Sequence, residues 1–524
     1  MFQGRIRTSG DRGGTLPQAV RRAVGRQVRC HRQGFRRDVH LLEEHPLRMR
    51  VLLINPPTGI YLREDRCQAP VRSMIAQGVR PPMDLAYIAA TCREATEAEC
   101  RIRDFPVEGG AWNALEAELQ DFRPDILVIS TTTPTFERDM EAAERAHRIL
   151  GDSVTCIGKG AHFAHHDEEA LLKHPELDLA VRGESELVIA ELVSGKDPTG
   201  VPGVSRLESD GRIVRNPDRP PPENLDSLPF PARDLLRNEL YPDPETGAPL
   251  TPVLTSRGCP GRCIFCPVFL VSGRKLRKRS VGSIIRELES CVRDYGIRSF
   301  LFRSDTFTMD RKWVLALCSE IHRAGLDIRW GANSRIDTFD SEMAAAMASA
   351  GCHVVSFGVE SGDPEILTKI GKDITLEGVN SAVKLCRRNG IMSLLYFVVG
   401  FPWDTRESIR RTVRFARSVP ADLYEFHAAY PFPGTPMYEM ALRDGLFREE
   451  DLAKGDYFTP IMNTYSLSSA EVAEERKRAI LCTYLSPAFL LRTLGRIRSA
   501  SQLWHYASFG FIKLATLLGW GGTK

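Results

Sequence analysis

The chain has 524 residues, of which 43% are hydrophobic and 26% charged, a globular composition that excludes disorder over the whole length. The formal net charge of +3 gives no protein-wide basic surface, which argues against a nucleic-acid-binding protein. Thirteen cysteines with no visible secretory signal exclude a secreted disulfide scaffold, and we expect a reducing, cytoplasmic setting.

The length of the chain predicts about three domains. The N-terminal stretch differs in composition from the rest of the chain. Residues 1–48 hold eleven arginines against four acidic residues and show no apolar period. We expect either a disordered basic extension or a stretch ahead of the natural start, because Met49 directly precedes the first predicted strand. A basic interaction arm or a transit segment is the alternative.

Residues 49–195 alternate strands with helices in five βα units. Their strands are predicted at 51–55, 100–104, 125–130, 153–157 and 178–181. The first strand is a continuous apolar run, as expected for a strand that is buried on both faces of a parallel sheet. The pattern predicts an α/β domain with a doubly wound, flavodoxin-like sheet, which binds ligands beyond the carboxyl ends of its strands.

A second βα series at residues 251–440 follows a proline-rich linker at 196–250. Its strands are predicted at 252–256, 299–303, 328–332, 353–359, 393–399 and 423–428. Six parallel strands with helices between them predict a partial (β/α)6 barrel, with its site at the carboxyl-end face. Residues 441–524 are predicted to form a helical C-terminal region.

Three cysteines follow the first barrel strand with the spacing C-x3-C-x2-C: Cys259, Cys263 and Cys266. Thiolates ligate iron–sulfur clusters, and a full cubane takes four of them. The next cysteine, Cys291, lies inside a predicted helix, so one iron of a [4Fe–4S] cluster would be left open to an external ligand. Zinc is the competing interpretation, but a structural zinc site needs four protein ligands. Coincidental spacing is the remaining alternative.

This motif resembles the radical S-adenosylmethionine (SAM) superfamily over residues 251–440, and the aromatic Phe265 before the third cysteine strengthens the resemblance. The resemblance implies that SAM chelates the open iron and is cleaved to a 5′-deoxyadenosyl radical. It also implies an external electron donor of the flavodoxin or ferredoxin type. The cofactors supply the chemistry, and the protein positions them.

The resemblance further implies a set of SAM-binding residues in the barrel: Phe265, Arg335, Glu360 and Ser361. Glu360 is expected to accept hydrogen bonds from the ribose hydroxyls, with Ser361 beside it. Arg335 is expected to pair with the methionine carboxylate, and a surface salt bridge is the alternative. One departure is that Phe302-Arg-Ser-Asp-Thr306 stands where many relatives carry Gly-Gly-Glu, which leaves the role of Asp305 open.

The N-terminal domain resembles the cobalamin-binding domain of one radical SAM subgroup, the class B methylase type. The stretches that carry the resemblance are Leu53–Pro57, Arg80–Leu85, Ser130–Pro134, Gly158–Ala161 and Gly183–Glu186. It implies a cobalamin slot lined by Ser130, Thr131, Thr132, Gly158 and Gly160.

Two further motifs bear on this domain. The motif Asp-x-His-x-x-Gly, whose histidine is the lower ligand of cobalt in cobalamin mutases, is absent after the first strand. We expect His162, His165 and His166 to lie in a solvated loop. A sheet used only for docking is the alternative, and no G-x-G-x-x-G supports a dinucleotide site.

The combined resemblance implies an enzyme that methylates an unactivated carbon of a small-molecule or lipid-like substrate. SAM would supply both the hydrogen-abstracting radical and, by way of cobalamin, the methyl group. A cyclase or rearrangement enzyme without methyl transfer is the alternative within the family. A cobalamin sensor with a structural cluster is an alternative of another class, which the three-cysteine loop disfavours.

The C-terminal tail carries an aromatic stretch at 503–520, with arginines ahead of it. The stretch is near spanning length, but glycine, serine, histidine and lysine interrupt it. We expect either an interfacial helix that gives peripheral membrane contact or a helix that caps the barrel.

Overall fold

The computed structural model describes residues 48–64, 67–71 and 78–495. The predicted extension at 1–48, apart from Arg48, and the aromatic stretch at 503–520 lie outside these residues. The described residues from Arg48 onward form one compact unit.

The first sheet is built from the N-terminal part of the unit, which also contains a small separate hairpin. Its strands are β1 (Arg50–Asn55), β2 (Tyr61–Glu64), β3 (Cys67–Pro70), β4 (Glu99–Asp104), β5 (Ile126–Ser130), β6 (Thr155–Lys159), β7 (Leu179–Val181), β8 (Val204–Leu207) and β9 (Ile213–Arg215). Seven of them form one sheet in the order β4-β1-β5-β6-β7-β8-β9, while β2 and β3 pair with each other. The five predicted strands are parallel, and β8 and β9 extend the sheet as an antiparallel hairpin.

Helices cover both faces of this sheet. They are α1 (Met83–Thr96), α2 (Trp112–Phe122), α3 (Phe136–Asp139), α4 (Glu141–Leu150), α5 (Phe163–Lys173) and α6 (Glu186–Val193). Alternate residues of β1 belong to different cores: Leu53 packs with α1 and α6, whereas Leu52 packs with α2, α4 and α5. Successive strand side chains point to opposite faces, so this apolar run fills two cores at once. The predicted doubly wound architecture is confirmed.

The second half of the chain adds eight strands and ten helices within the described residues. The strands are β10 (Leu250–Leu254), β11 (Ser256–Arg257), β12 (Arg277–Lys278), β13 (Ser299–Arg303), β14 (Arg329–Ser334), β15 (Cys352–Glu360), β16 (Met392–Val399) and β17 (Leu423–Ala428). The helices are α7 (Val268–Val271), α8 (Val281–Tyr295), α9 (Arg311–Arg323), α10 (Ser341–Ser349), α11 (Pro364–Lys369), α12 (Leu376–Arg388), α13 (Arg406–Ser418), α14 (Pro436–Arg443), α15 (Ser469–Tyr484) and α16 (Pro487–Leu494).

Six of these strands form a parallel sheet in the order β10-β13-β14-β15-β16-β17, which confirms the partial barrel. One face of each strand packs against the helices through large side chains such as Phe302, Trp330 and Phe357. The alternate face is half-buried and lines the lumen. Its polar members are Arg303, Asn333, Ser356, Tyr396, Glu425 and His427.

The C-terminal helices close the outer side of the barrel. The Tyr484 hydroxyl, at the end of α15, donates to the carbonyl oxygen of Tyr424 on β17 at 2.6 Å. Phe489 of α16 packs edge-on against Tyr424 and Tyr484, at centroid distances of 6.0 and 4.8 Å. Within the described residues, no helix has both the length and the apolar character needed to cross a bilayer.

Asp104 ends β4 and is buried where the linker crosses the first sheet. Its carboxylate accepts hydrogen bonds from the Asn55 amide at 3.1 Å and from the Tyr241 hydroxyl at 2.9 Å. Burial outweighs these donors and raises the pKa of Asp104 from 3.8 to about 6. Because the folded state binds the Asp104 proton more tightly than the unfolded state, protonation stabilises the fold, and this contribution is complete only below pH 3.8. The contribution is lost as the pH rises through about 6.

We therefore expect Asp104→Asn, which cannot ionise, to gain stability relative to the parent as the pH is raised. A pKa displacement of roughly two units corresponds to a relative change of ~2–3 kcal/mol between pH 4 and pH 8. Guanidinium chloride unfolding of both proteins at the two pH values measures the change. A free-energy difference between the proteins that does not vary with pH would contradict the assignment.

Candidate active site

The three cysteines of the C-x3-C-x2-C motif lie in a loop at the carboxyl end of the barrel, between β11 and α7. Each is partly exposed and none is in a disulfide, whereas most other described cysteines are buried. Burial raises the pKa of the Cys263 thiol above its ordinary value, and the Glu360 carboxylate adds to the rise, while the Lys372 ammonium and the Arg335 guanidinium offset only part of it. These two cations lie near the sulfur and act in favour of the thiolate that a metal ligand requires.

Tight backbone contacts fix the course of this loop. Gly258 has φ +85°, and a Cβ at this position would overlap the carbonyl oxygen of Lys275, so only glycine fits. The Gly258 N–H donates to Asp305 at 2.7 Å. The Ile264 N–H donates to the Ile370 carbonyl oxygen at 3.1 Å, and the Ile264 carbonyl oxygen accepts from Met437 at 3.0 Å. Asp305 therefore holds the cysteine loop, a role that its sequence position left open.

The donor set of the loop suits an iron–sulfur cluster better than a structural zinc ion. Three partly exposed thiols lie on one short loop. Thiolates ligate iron–sulfur clusters, and three of them leave one iron of a [4Fe–4S] cluster open. A structural zinc site takes four protein ligands, so a set of three thiolates disfavours the zinc alternative.

Glu360 ends β15 in a strained conformation beside the cysteine loop. Its φ of +66° lies in the left-handed region, which costs a non-glycine residue about 1–2 kcal/mol. Its Oε1 accepts from Lys372 Nζ at 2.8 Å, and both side chains are nearly buried. A Cβ on Gly358 would overlap Oε1 of Glu360, so the glycine makes room for the pair. Oε2 makes no hydrogen bond to any described residue.

Burial lowers the pKa of Lys372, but the Glu360 carboxylate and the Cys263 thiol raise it by more, so the amine remains protonated. The sequence analysis did not identify Lys372. It lies 12 residues beyond Glu360, past α11, and no spacing rule links the two positions.

The other residues expected to contact SAM take different positions. Arg335 forms a two-point ion pair with Asp337, at 2.9 Å in both bonds, and its Nη1 would lie 3.4 Å from a Cβ on Gly261 in the cysteine loop. Ser361 is buried, and its hydroxyl bonds Thr412 and the Asp363 N–H at 3.1 Å each, so it holds the turn after β15. Phe265 packs on Phe401, with the ring centroids 5.3 Å apart.

The expected cobalamin slot lies between the carboxyl ends of β5 and β6. Ser130 is fully buried, and its hydroxyl is without a hydrogen-bond partner in the described residues. A Cβ on Gly160 would lie 2.5 Å from the Thr131 carbonyl oxygen, and one on Gly158 would lie 2.5 Å from the Phe163 ring. An orphaned hydroxyl between two close-packed glycine positions fits a site for a ligand tail, because buried polar groups are otherwise satisfied.

A buried ion pair that the sequence analysis missed organises the same edge. Arg63 of the β2–β3 hairpin donates to Asp139 through both Nη atoms at 2.9 and 3.1 Å, and also to the Ser130 carbonyl oxygen at 2.7 Å. Thr131 and Thr132 are occupied as well. The Thr131 hydroxyl donates to the Lys159 carbonyl oxygen, and that of Thr132 pairs with Thr135. Ser130 is thus the residue of this loop whose hydroxyl remains available.

The expectation of a solvated histidine loop after β6 is wrong for His162 and His166, which are buried, whereas His165 is exposed but lies in α5 rather than in a loop. His162 precedes α5 and His166 lies within it, and their exposed fractions are only 9% and 7%. His162 stacks on Phe136 at 4.1 Å, and His166 lies 3.8 Å from Glu449 of the C-terminal region. Burial lowers the pKa of both imidazoles. The helix packs between the first sheet and the C-terminal region, a tertiary contact that local sequence does not reveal.

The carboxyl ends of the two sheets meet. Lys159, the last residue of β6, forms an ion pair with Asp84 at the start of α1. Burial raises the pKa of Asp84, but Lys159 and the more weakly acting Arg303, at the end of β13, bring it below its ordinary value. After β7, Glu184 and Glu186 pair with Arg257, which lies two residues before Cys259. The cysteine loop and the Ser130 slot therefore border the same interdomain region.

Comparison with known proteins agrees with this two-part site. Residues 253–416 match the family model of the radical SAM superfamily, and residues 76–193 match that of the B12 binding domain. An uncharacterized methyltransferase of Pyrococcus horikoshii, PH0819, is 34% identical over 450 residues, which cover 85% of this chain and 95% of that protein. An anaerobic magnesium-protoporphyrin IX monomethyl ester cyclase of Rubrivivax gelatinosus is 26% identical, covering 78% of this chain and 75% of the cyclase.

The fold also matches a solved structure. The radical SAM methyltransferase TsrM of Kitasatospora setae, solved with cobalamin and a [4Fe–4S] cluster, superposes with a TM-score of 0.63 at 19% identity. The match covers 90% of this chain and 99% of TsrM, and at this identity it speaks for the fold. The chain belongs to the cobalamin-dependent radical SAM enzymes, whose cofactors are a [4Fe–4S] cluster, SAM and cobalamin.

Proposed function

We propose that this enzyme transfers a methyl group from SAM to an unactivated carbon of a small molecule. The observation that carries the proposal is the meeting of the two carboxyl edges, where the loop of Cys259 and the slot at Ser130 border one region. A methyl carrier on one sheet and a radical source on the other need such a shared space. The methyltransferase name of the Pyrococcus horikoshii relative supports the same activity.

The chain's own residues have distinct roles in this proposal. When bound, the cluster and SAM supply radical chemistry, and cobalamin supplies a methyl carrier. Cys259, Cys263 and Cys266 hold the cluster and leave one iron open. Glu360 uses its unengaged Oε2 to accept the ribose hydroxyls of SAM, while Lys372 fixes its Oε1. Ser130 offers its buried hydroxyl to the nucleotide tail of cobalamin.

The lumen favours a substrate that carries polar groups over a purely lipid-like one. Arg303 is half-buried on the lumen face, and its guanidinium acts on the Asp84 carboxylate more weakly than Lys159 does. Asn333, Ser356 and Glu425 share the lumen face with it. A wholly apolar substrate would desolvate the charged Arg303 guanidinium without offering it a hydrogen bond, which is costly. A lipid-like substrate therefore remains the less favoured alternative.

Electrons must come from an external donor of the flavodoxin or ferredoxin type in this proposal. Besides the three loop cysteines and the exposed Cys482, the described ranges contain cysteines that are buried among apolar side chains: Cys92, Cys100, Cys156, Cys291, Cys318, Cys352 and Cys386. Those residues therefore offer no ligand set for a second cluster that could relay electrons.

The cobalamin site predicts a spectroscopic signature. Protein loaded with cob(II)alamin should give an EPR signal without nitrogen superhyperfine splitting, because the loop after β1 offers no histidine and the Ser130 slot would take the nucleotide tail away from cobalt. EPR of the loaded protein under argon measures it. Resolved splitting from a nitrogen ligand would contradict the assignment of the slot.

Peripheral membrane contact through the tail is a further part of the proposal. The last described helix, α16, exposes Leu490, Leu491 and Leu494, and the tail beyond it adds the aromatics of residues 503–520. We expect the full chain to sediment with anionic liposomes but not with neutral ones. A chain truncated after Gly495 should keep its cluster, since Phe489 and its contacts are retained, and should sediment far less, since the aromatics of residues 503–520 are lost. Aggregation of the truncated chain would instead support a capping helix.

The proposed reaction is tested by an anaerobic incubation with SAM, cobalamin and a low-potential reductant. Formation of both 5′-deoxyadenosine and S-adenosylhomocysteine indicates methyl transfer. Formation of 5′-deoxyadenosine without S-adenosylhomocysteine would overturn it in favour of the cyclase or rearrangement alternative, which the Rubrivivax gelatinosus relative represents.

A further inference from the structure

Both ends of the segment that carries the cluster cysteines are tied to the first sheet by buried ion pairs. Arg257, two residues before Cys259, lies 2.9 Å from Glu184 and donates to Glu186. Arg277, at the other end of the segment, donates to Glu184 at 3.1 Å. The four side chains are between 4% and 15% exposed, so solvent screens these pairs little.

The carboxylates of Glu184 and Glu186 allow the two arginines to occupy facing positions on neighbouring strands. Arg257 and Arg277 stand directly opposite each other in the antiparallel pair β11–β12. Like charges at such cross-strand positions destabilise the pairing. Glu184, in the loop after β7, and Glu186, the first residue of α6, neutralise both guanidiniums. They thereby allow β11 and β12 to pair at the base of the cysteine loop.

The connection from this ion-pair cluster to the cysteines is short and rigid. Gly258, between Arg257 and Cys259, lies against the Lys275 carbonyl, because a Cβ added to it would overlap that oxygen. The Cys259 N–H donates to Gly273 at 3.3 Å, and Arg277 donates to the Ser272 carbonyl oxygen at 2.8 Å. A displacement of either arginine is therefore passed on to the loop rather than absorbed before it.

We propose that Glu184 and Glu186, at the carboxyl edge of the cobalamin-binding domain, are positioning residues that set the geometry of the cluster-binding loop through Arg257 and Arg277. The inference rests on the cluster assignment within the proposed function and is independent of methyl transfer. It gives the cobalamin-binding domain a second role, because loosening this domain disturbs the cluster and the SAM bound to it.

The test compares Glu184→Gln/Glu186→Gln with the parent enzyme, both anaerobically reconstituted. The glutamines keep the shape of the side chains and remove the charges. The two readouts are the EPR line shape of the reduced cluster with SAM and the Kd for SAM. Both readouts are normalised to the amount of bound cluster, so that a loss of folded protein does not change them. Glu116→Gln is the control, because Glu116 also faces two arginines, Arg145 and Arg148, but lies on the remote helix α2.

We expect the double variant to bind SAM at least fivefold more weakly and to show a heterogeneous EPR signal, with the control within twofold of the parent. A double variant with parent-like EPR and a Kd within twofold overturns the proposal. An equal change in the control would also overturn it. If the double variant does not fold, Glu186→Asp, which keeps the charge but shortens its reach, is judged by the same limits. A parent that cleaves SAM without methylating would sink the proposed reaction and leave this inference standing.

Discussion

Replacing Cys259, Cys263 and Cys266 together by alanine is expected to reduce bound iron from about four atoms per chain to near zero. SAM cleavage should disappear with the iron, because no other described cysteines form a comparable exposed set. The variant should still fold, since the three side chains are partly exposed and belong to none of the buried hydrophobic cores. Iron and sulfide analysis after anaerobic reconstitution, with 5′-deoxyadenosine quantified by chromatography, measures both effects.

Two controls make this result specific. Cys482→Ala removes an exposed thiol from α15 and should leave iron, sulfide and SAM cleavage unchanged. Circular dichroism of the triple variant should match that of the cluster-free parent, which separates loss of the cluster from loss of the fold. If the triple variant kept the iron absorbance of the parent, the assignment of these cysteines would be wrong.

Local sequence pattern predicts those parts of the molecule that depend on periodicity and spacing. The apolar run of β1 predicts a strand buried on both faces, and Leu52 and Leu53 do fill opposite cores. The spacing of the three cysteines places them in one loop after the first barrel strand. Both inferences need only a few consecutive residues, and both are confirmed at the level of the fold.

Contacts between distant segments explain what the sequence analysis missed. The segment Gly183–Glu186 matches a cobalamin-binding domain, yet two of its carboxylates meet Arg257, more than 70 residues further along the chain. Likewise, Arg63 forms an ion pair with Asp139, which lies 76 residues further along the chain. The polar residues around His166 suggest a solvated loop, whereas His166 itself is buried and lies 3.8 Å from Glu449 of the C-terminal region. No local period encodes which surface will be covered by a later segment.

Glu360 illustrates how structure sharpens a sequence hypothesis. The resemblance to radical SAM enzymes places Glu360 near the ribose of SAM but gives no reason for the left-handed backbone or for Gly358 before it. The structure supplies one: the carboxylate folds back over Gly358 to meet Lys372. Backbone strain at a site residue persists when the surroundings hold it in place, and here the ion pair does so.

Glu360→Ala should weaken SAM binding by about tenfold to about 150-fold and leave iron content unchanged. This range reflects loss of a charge-assisted set of hydrogen bonds, worth roughly 1.5–3 kcal/mol. The variant also leaves the buried ammonium of Lys372 without its carboxylate partner, which favours the upper end of this range. Glu365→Ala breaks the exposed pair with Lys369 on α11 and serves as the matched control, since such surface pairs contribute little. Equilibrium binding of SAM to the reconstituted proteins under argon decides the outcome: an affinity equal to that of the parent would mean that the ribose is bound by other residues.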